Sequence, residues 1–291
     1  MIIDFHTHTF PEKIAQSAIA RLSASADIKN YIAGTLTDLI SSMQNNGIDY
    51  SVILPVVTRP EQEKNINRLA IETNEHFLDQ GIISFGGIHP YNEDYKAILH
   101  FLSTHGVKGI KLHPVFQKTY FNDIRYKRII SCAMDEDLIV VTHAGYDISY
   151  PGADFVTPAH VLPMIKELKP PRLVLAHMGG WNCWDEVYEK IAGLPVYLDT
   201  SFSLTPLRSP KSKAASINRY DDRSKRSERL QLTTEEFCKF VQKHGADHIL
   251  FGSDSPWSDQ GESLNILNNT SLAAADISKI SGENAGCLLS L

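Results

Sequence analysis

Along the whole chain, short runs of β-branched and aliphatic residues alternate with longer stretches whose apolar positions recur at helical spacing. The short runs fall at residues 2–6, 50–56, 82–88, 109–113, 138–143, 172–177, 196–200 and 248–253. Helical patterning covers 37–46, 61–80, 95–105, 124–136, 158–168, 184–191 and 234–244, with a further helical tail from about 264. Eight strand patterns, each followed by helix, predict an α/β fold of the (β/α)8 TIM-barrel type, with residues 1–291 as a single domain. An open doubly wound sheet is the alternative, but no G-x-G-x-x-G turn follows the first run.

Two stretches interrupt the repeat. Residues 9–36 separate the first strand from its helix and are expected to form a loop or short helix over the barrel mouth. Residues 203–232 follow the seventh strand and carry Arg208, Lys211, Lys213, Arg219, Arg223, Lys225, Arg226 and Arg229 against Asp221, Asp222 and Glu228. Loops at that end of a barrel build its active site. The basic insertion is either a solvated loop or a lid that offers Arg or Lys to an anionic substrate.

Composition narrows the classes. An apolar fraction of 43% and a charged fraction of 21% are ordinary for a globular chain with a sizeable core. The net charge of -6 argues against a general nucleic-acid or membrane surface. The chain opens straight into a strand pattern with no leader-like segment, and no apolar run is long enough to cross a bilayer, so a cytoplasmic protein is expected. Cys132, Cys183, Cys238 and Cys287 lie far apart and are expected to be reduced thiols. Cys183 is read as a small residue opening a helix rather than as a nucleophile.

Candidate chemistry gathers at the strand ends. The first run reaches Asp4, Phe5, His6, Thr7 and His8. Side chains two apart on a strand share a face, so His6 and His8 can share a metal ion, and imidazoles suit Zn²⁺, Mn²⁺ and Fe²⁺. Further polar residues end later runs: Lys111 and His113 in GIKLHP, His143 in VVTHAG, His177 in VLAHMGG and Asp254 in FGSDSPW. Barrel strands converge on one mouth, so the set is expected to form a single metal site. His89 is read as structural, and Trp181, Trp184 and Trp257 as pocket wall or packing. His76, His100, His105, His160, His244 and His248 receive no role.

H-x-H on the first strand, Lys on the fourth, His on the fifth and sixth and Asp on the eighth together resemble the amidohydrolase superfamily. The surrounding sequence is similar to its amidohydrolase-related branch, which includes aminocarboxymuconate semialdehyde decarboxylase and other aromatic acid decarboxylases beside many hydrolases. GIKLHP followed by Gln117, and the GENAGCLL segment with Asn284, extend the likeness over nearly the whole chain. The resemblance implies that His6, His8, His143 and Asp254 hold one divalent ion, most often Zn²⁺, with Mn²⁺ or Fe²⁺ as alternatives. It places His177 just beyond the ion as an acid or base, or as a ligand of a second ion. A water on such an ion has a pKa that falls from about 15.7 toward about 7. Asp254 can take its proton and His177 can protonate a leaving group, which makes these two the expected catalytic residues. Lys111 either bridges two ions as a carbamate, pairs with a substrate carboxylate or pairs with an acid, and His113 lines the substrate pocket or is structural.

Two activities follow. The leading expectation is metal-dependent hydrolysis of an amide, lactone or ester of a small anionic substrate. The alternative is non-oxidative decarboxylation of an aromatic or unsaturated acid, by a carboxy-lyase. A nuclease of the deoxyribonuclease-like branch is disfavoured because the glutamate of its third strand is missing from SFGGIHP. A barrel without catalysis is disfavoured by the complete series of strand-end residues. The expected partner is a small-molecule substrate, and a homo-oligomer is compatible with the sequence.

Overall fold

A computed structural model describes residues 1–208 and 230–291. Its strands are β1 (Ile3–Thr7), β2 (Tyr50–Ile53), β3 (Ile82–Ser84), β4 (Gly86–Gly87), β5 (Gly109–Leu112), β6 (Ile139–Thr142), β7 (Leu173–Leu175), β8 (Tyr197–Asp199) and β9 (Ile249–Leu250). They pair in parallel in the orders β1-β2-β3 and β4-β5-β6-β7-β8-β9. β3 and β4 are two halves of one run, parted at Phe85, whose N–H donates to the Ile53 carbonyl at 2.9 Å. At the other seam the Phe5 N–H donates to Phe251 O and the Asp254 N–H to His6 O, both at 2.8 Å. The two sheets therefore form one wall of eight positions, the parallel α/β barrel that the alternating pattern predicts.

The helices are α1 (Glu12–Ala26), α2 (Leu36–Asn46), α3 (Glu63–Phe77), α4 (Tyr95–Thr104), α5 (Pro114–Gln117), α6 (Ile124–Asp135), α7 (Pro158–Leu168), α8 (Trp184–Lys190), α9 (Thr234–His244), α10 (Gln260–Asn268), α11 (Ala274–Ser278) and α12 (Asn284–Leu289). Local chemistry sets several of their ends. Thr35 and Asp38 form a capping box on α2, which stops at Gly47 with φ +65°, and Thr233 and Glu236 cap α9 in the same way. Residues 9–36 differ from expectation, since α1 runs for 15 residues there. Its Ala15, Ala18, Ile19 and Ala26 are buried at helical spacing, so tertiary packing stabilises a segment whose serines weaken its helical signal. Of the basic insertion, Lys211, Lys213, Arg219, Arg223, Lys225, Arg226 and Arg229 lie outside the described residues.

The barrel is filled from within by Ile3, Phe5, Val52, Leu54, Ile83, Phe85, Ile139, Val141, Val174 and Leu250, with Ala285, Leu288 and Leu289 of α12 in the same cluster. The opposite face of the wall, including Ile110, Leu112, Leu173, Leu175 and Leu198, packs against the helices. Simple alternation from Ile3 and Phe5 would send His6 outward. The pairing of β1 with β2 instead shifts register between Asp4 and Thr7. Asp4 accordingly bonds Ser253 and Gln260 of α10, while His6 turns into the barrel. The bulge re-aims the side chains that follow it.

Two amides, the buried Gln117 and the half-buried Asn284, tie the wall together. Gln117 donates from Nε2 to Val57 O (2.9 Å) and Ile88 O (2.8 Å), and its Oε1 accepts from the Tyr126 hydroxyl (2.6 Å) and the His113 N–H (3.2 Å). Asn284 donates to Ala246 O (2.7 Å) and Ile249 O (2.8 Å), which holds α12 against β9. Gln117→Ala leaves two carbonyls and a phenol without partners, and is expected to lower stability by roughly 3 kcal/mol. Urea unfolding should show this as a lower midpoint at unchanged slope.

His244 predicts a pH dependence. Its Nε2–H donates to Val196 O (2.9 Å) while Nδ1 accepts from the Gly193 N–H (3.1 Å), so both nitrogens are used only in the neutral ring. Burial pushes its pKa down to about 4. The unfolded chain protonates this group first, so its contribution is complete above about pH 6.5 and is lost as pH falls toward 4. The stability advantage of the wild type over His244→Gln is therefore expected to shrink by on the order of 3 kcal/mol across that window, as measured by urea titration at several pH values.

Candidate metal centre

At the barrel mouth the ends of β1, β5, β6, β7, β8 and β9 converge on a cavity of about 870 Å³ lined by His6, His8, Lys111, His143, His177 and Asp254. Each imidazole has one nitrogen committed to the protein. His6 Nδ1–H donates to Asp199 Oδ2 (2.8 Å), and His8 Nδ1–H donates to Leu54 O (2.8 Å). His143 Nε2–H donates to Tyr146 O (3.1 Å), and His177 Nδ1–H donates to Ser201 O (3.0 Å). The proton on one nitrogen leaves a lone pair on the other.

Those lone pairs face one another. His6 Nε2 lies 3.2 Å from His8 Nε2, and Asp254 Oδ1 lies 3.0 Å from His8 Nε2 and 3.6 Å from His6 Nε2. With the His8 proton on Nδ1, the close approach of Asp254 Oδ1 is not a hydrogen bond, and this buried oxygen has no donor. Three acceptors thus converge without protons, within 4.8 Å of one another. A cation satisfies such a set, and two imidazoles with a carboxylate fit Zn²⁺, Mn²⁺ or Fe²⁺. The donor set and the orphaned oxygen therefore suit a divalent ion.

His143 stands apart from that trio. Its Nδ1 faces His177 Nε2 at 3.0 Å, and its ring stacks on His113 at 4.3 Å. His113, His143 and Asp147 form a second group of potential ligands within 4.8 Å. The tautomers disfavour an ion there, because His113 Nδ1 accepts from the Phe116 N–H and so leaves the proton on Nε2, toward Asp147. Lys111 is buried, with Nζ 3.2 Å from His6 Nε2 and no carboxylate within 4.0 Å among the described residues.

Burial sets the electrostatics. It lowers the pKa of His6 to about 4, helped by Lys111, and holds His113 and His143 well below the usual imidazole range. His177 is lowered by burial too. Lys111 is pushed down to about 8 by the same loss of water. For Asp199 burial acts upward, but donation from His6, His177 and Ser201 outweighs it and keeps the carboxyl well below its usual range. Neutral imidazoles are the form a metal requires.

The backbone is bent to this purpose. His177 has φ +59° and Asp254 φ +68°, a region that costs a side-chain-bearing residue about 1 kcal/mol or more. The His177 N–H to Asp199 Oδ1 bond (2.9 Å) and the Trp184 indole donation to His177 O (3.0 Å) hold the first turn. Nearby, Gly145 at φ +87° lets the β6 loop touch the β7 loop, where a Cβ would meet Trp181 N at 2.2 Å. Cys183 opens α8, and burial raises its thiol pKa, which disfavours the thiolate. His89 is absent from the cavity lining, and its N–H is held by Glu63.

Sequence reasoning missed Asp199, Asp147 and the outward bonding of Asp4. Asp199 carried a readable signal, since it ends the apolar run VYL as the other site residues end theirs.

Comparisons place the chain among known proteins. Residues 3–291 match the family profile described as Amidohydrolase. No curated protein matches. Among solved structures, 2,6-dihydroxybenzoate decarboxylase in complex with 2,6-dihydroxybenzoate is similar at a TM-score of 0.69 and 14% identity, covering 100% of this chain and 99% of that one. 5-Carboxyvanillate decarboxylase from Sphingomonas paucimobilis is similar at 0.67 and 12%, covering 100% and 99%. A dihydroxybenzoic acid decarboxylase from Polaromonas sp. JS666, with bound manganese and 2-nitroresorcinol, is similar at 0.68 and 14%, covering 100% and 97%. At these identities the likeness is one of fold.

Asp199→Asn removes the carboxylate that orients His6, and is expected to weaken Zn²⁺ or Mn²⁺ retention by roughly 10- to 100-fold. Competition against a chromophoric chelator measures this, with circular dichroism to verify the fold.

Proposed function

The chain belongs to the amidohydrolase family, and we propose that it uses a divalent metal ion to remove carbon dioxide, without oxidation, from an aromatic or unsaturated carboxylic acid. One observation carries the choice of reaction: Lys111 is a buried ammonium with no carboxylate within 4.0 Å among the described residues, beside acceptors that suit a divalent cation. Two cations side by side in a dry site repel, and a substrate carboxylate between them removes the conflict. An uncharged ester or amide does not. The decarboxylases of the same fold support this reading.

His6, His8 and Asp254 would hold the ion, with the fourth ligand drawn from the His143–His177 pair. The ion supplies Lewis acidity that stabilises negative charge on a substrate oxygen. Lys111 binds and orients the carboxylate, and the buried Trp181 Nε1–H, which has no partner, offers it a further donor. The carbon–carbon bond breaks, carbon dioxide leaves, and the electron pair left on the ring or vinyl carbon takes up a proton that comes from solvent water and would be relayed by the Asp254 carboxylate oxygen that does not face the ion. His177, fixed by Asp199 and Ser201, keeps the neighbouring acceptors in place.

Hydrolysis is the second reading. It is favoured by the same unpaired Asp254 Oδ1, a buried acceptor able to take a proton from water.

The test uses the purified protein, stripped with a chelator and reloaded with Mn²⁺ or Zn²⁺. A panel of hydroxybenzoates and unsaturated acids is expected to release carbon dioxide only in the presence of metal. Asp254→Asn should lower the rate by about 10²- to 10⁴-fold, and Lys111→Met should act mainly by raising KM. Turnover of lactones or esters, with no carbon dioxide from any acid, overturns decarboxylation in favour of hydrolysis.

A further inference from the structure

The cavity is much larger than its polar floor requires. At about 870 Å³ it falls near the top of the roughly 300–1,000 Å³ typical of pockets for drug-sized ligands. Its outer walls are two helices. From α1 come Ile14, Ala18 and Leu22, four residues apart along one stripe, and from α3 come Ile66, Leu69 and Ala70.

Ala18 and Ala70 are buried and belong also to the faces that fasten the helices to the barrel, but Ile14, Leu22, Ile66 and Leu69 do not. On α1 that task falls to Ala15, Ile19 and Ala26, and on α3 to Glu63 and Asn67, which bond the His89 and Gly87 N–H groups. The large aliphatic side chains Ile14 and Leu22 of α1 and Ile66 and Leu69 of α3 are left facing the cavity, and Ile14 and Leu69 are 50% and 38% exposed. Large aliphatic side chains from two helices on one cavity lose water only when something apolar enters it.

We propose that the substrate is a carboxylic acid with an extended apolar body. Its acid head sits at Lys111 and the His/Asp cluster, and its body lies between α1 and α3. This rests on the carboxylate-binding reading above and names the class of acid. The occupant follows from continuity, because the same cavity reaches from Lys111 and Asp254 to Ile14 and Leu69. A single-ring acid would fill the floor and leave both aliphatic stripes wet.

Calorimetric titration of the metal-loaded full chain with benzoate and its 4-ethyl, 4-butyl and 4-hexyl derivatives tests this without requiring turnover. Affinity is expected to tighten by about threefold per added methylene until the cavity is filled. Ile14→Asp and Leu69→Asp are expected to flatten that slope, and Leu69→Met to retain it. Both positions are part-exposed, and thermal melting confirms that the variants fold. Equal affinities along the series, or a slope untouched by the Asp variants, overturn the proposal. So does tighter binding of 4-(4-carboxybutyl)benzoate than of the butyl compound, which would assign the outer cavity to Arg21 and Arg59. A steep slope without carbon dioxide release would sink the decarboxylase reading alone, while carbon dioxide release with a flat slope would sink only the apolar body.

Discussion

One buried carboxylate, that of Asp199, governs the geometry of the mouth. It accepts from His6 Nδ1, from the His177 and Ser201 backbones and from the Ser201 hydroxyl, so it joins three segments of the wall. Each bond fixes a proton on the side of the ring or chain that faces Asp199. The consequence appears on the other side, where the His6 Nε2 lone pair is turned toward His8, Asp254 and the Lys111 ammonium. A charged group with this many donors in a dry site is held firmly. The alignment of the acceptor trio is inherited from that firmness.

Much of the barrel could be read from the chain because strand and helix periods differ so sharply. All eight strand patterns and the helices between them are present, since each carries an uninterrupted apolar run or stripe. What pattern could not supply is departure from pattern. The bulge after Asp4 decides which way His6 points, yet Asp4, His6 and His8 share the same spacing in the sequence. The left-handed turns at His177 and Asp254 likewise follow from hydrogen bonds to distant residues, which no local window contains.

The clustering of His6, His8 and Asp254 was foreseeable from strand ends that converge, whereas the placement of His143 was not. Its ring orientation follows from Tyr146 O and from stacking on His113, both loop contacts. The helix α1 escaped for a related reason: its alanines and Ile19 are buried against the barrel, and burial is a tertiary fact.

The seam between β9 and β1 joins the two extremes of the described chain. Asp4 and Ser253, 249 residues apart, are bonded across it, and His6 meets Asp254 a step further on. Nascent polypeptide emerging from a ribosome acquires His6 and His8 well before Asp254, their carboxylate counterpart, which follows only after β9, the last of the described strands, has been synthesised. Assembly of the three acceptors is thereby postponed until the last strand of the barrel is made, and a product terminated before β9 would be left with an open cylinder and two imidazoles without their carboxylate.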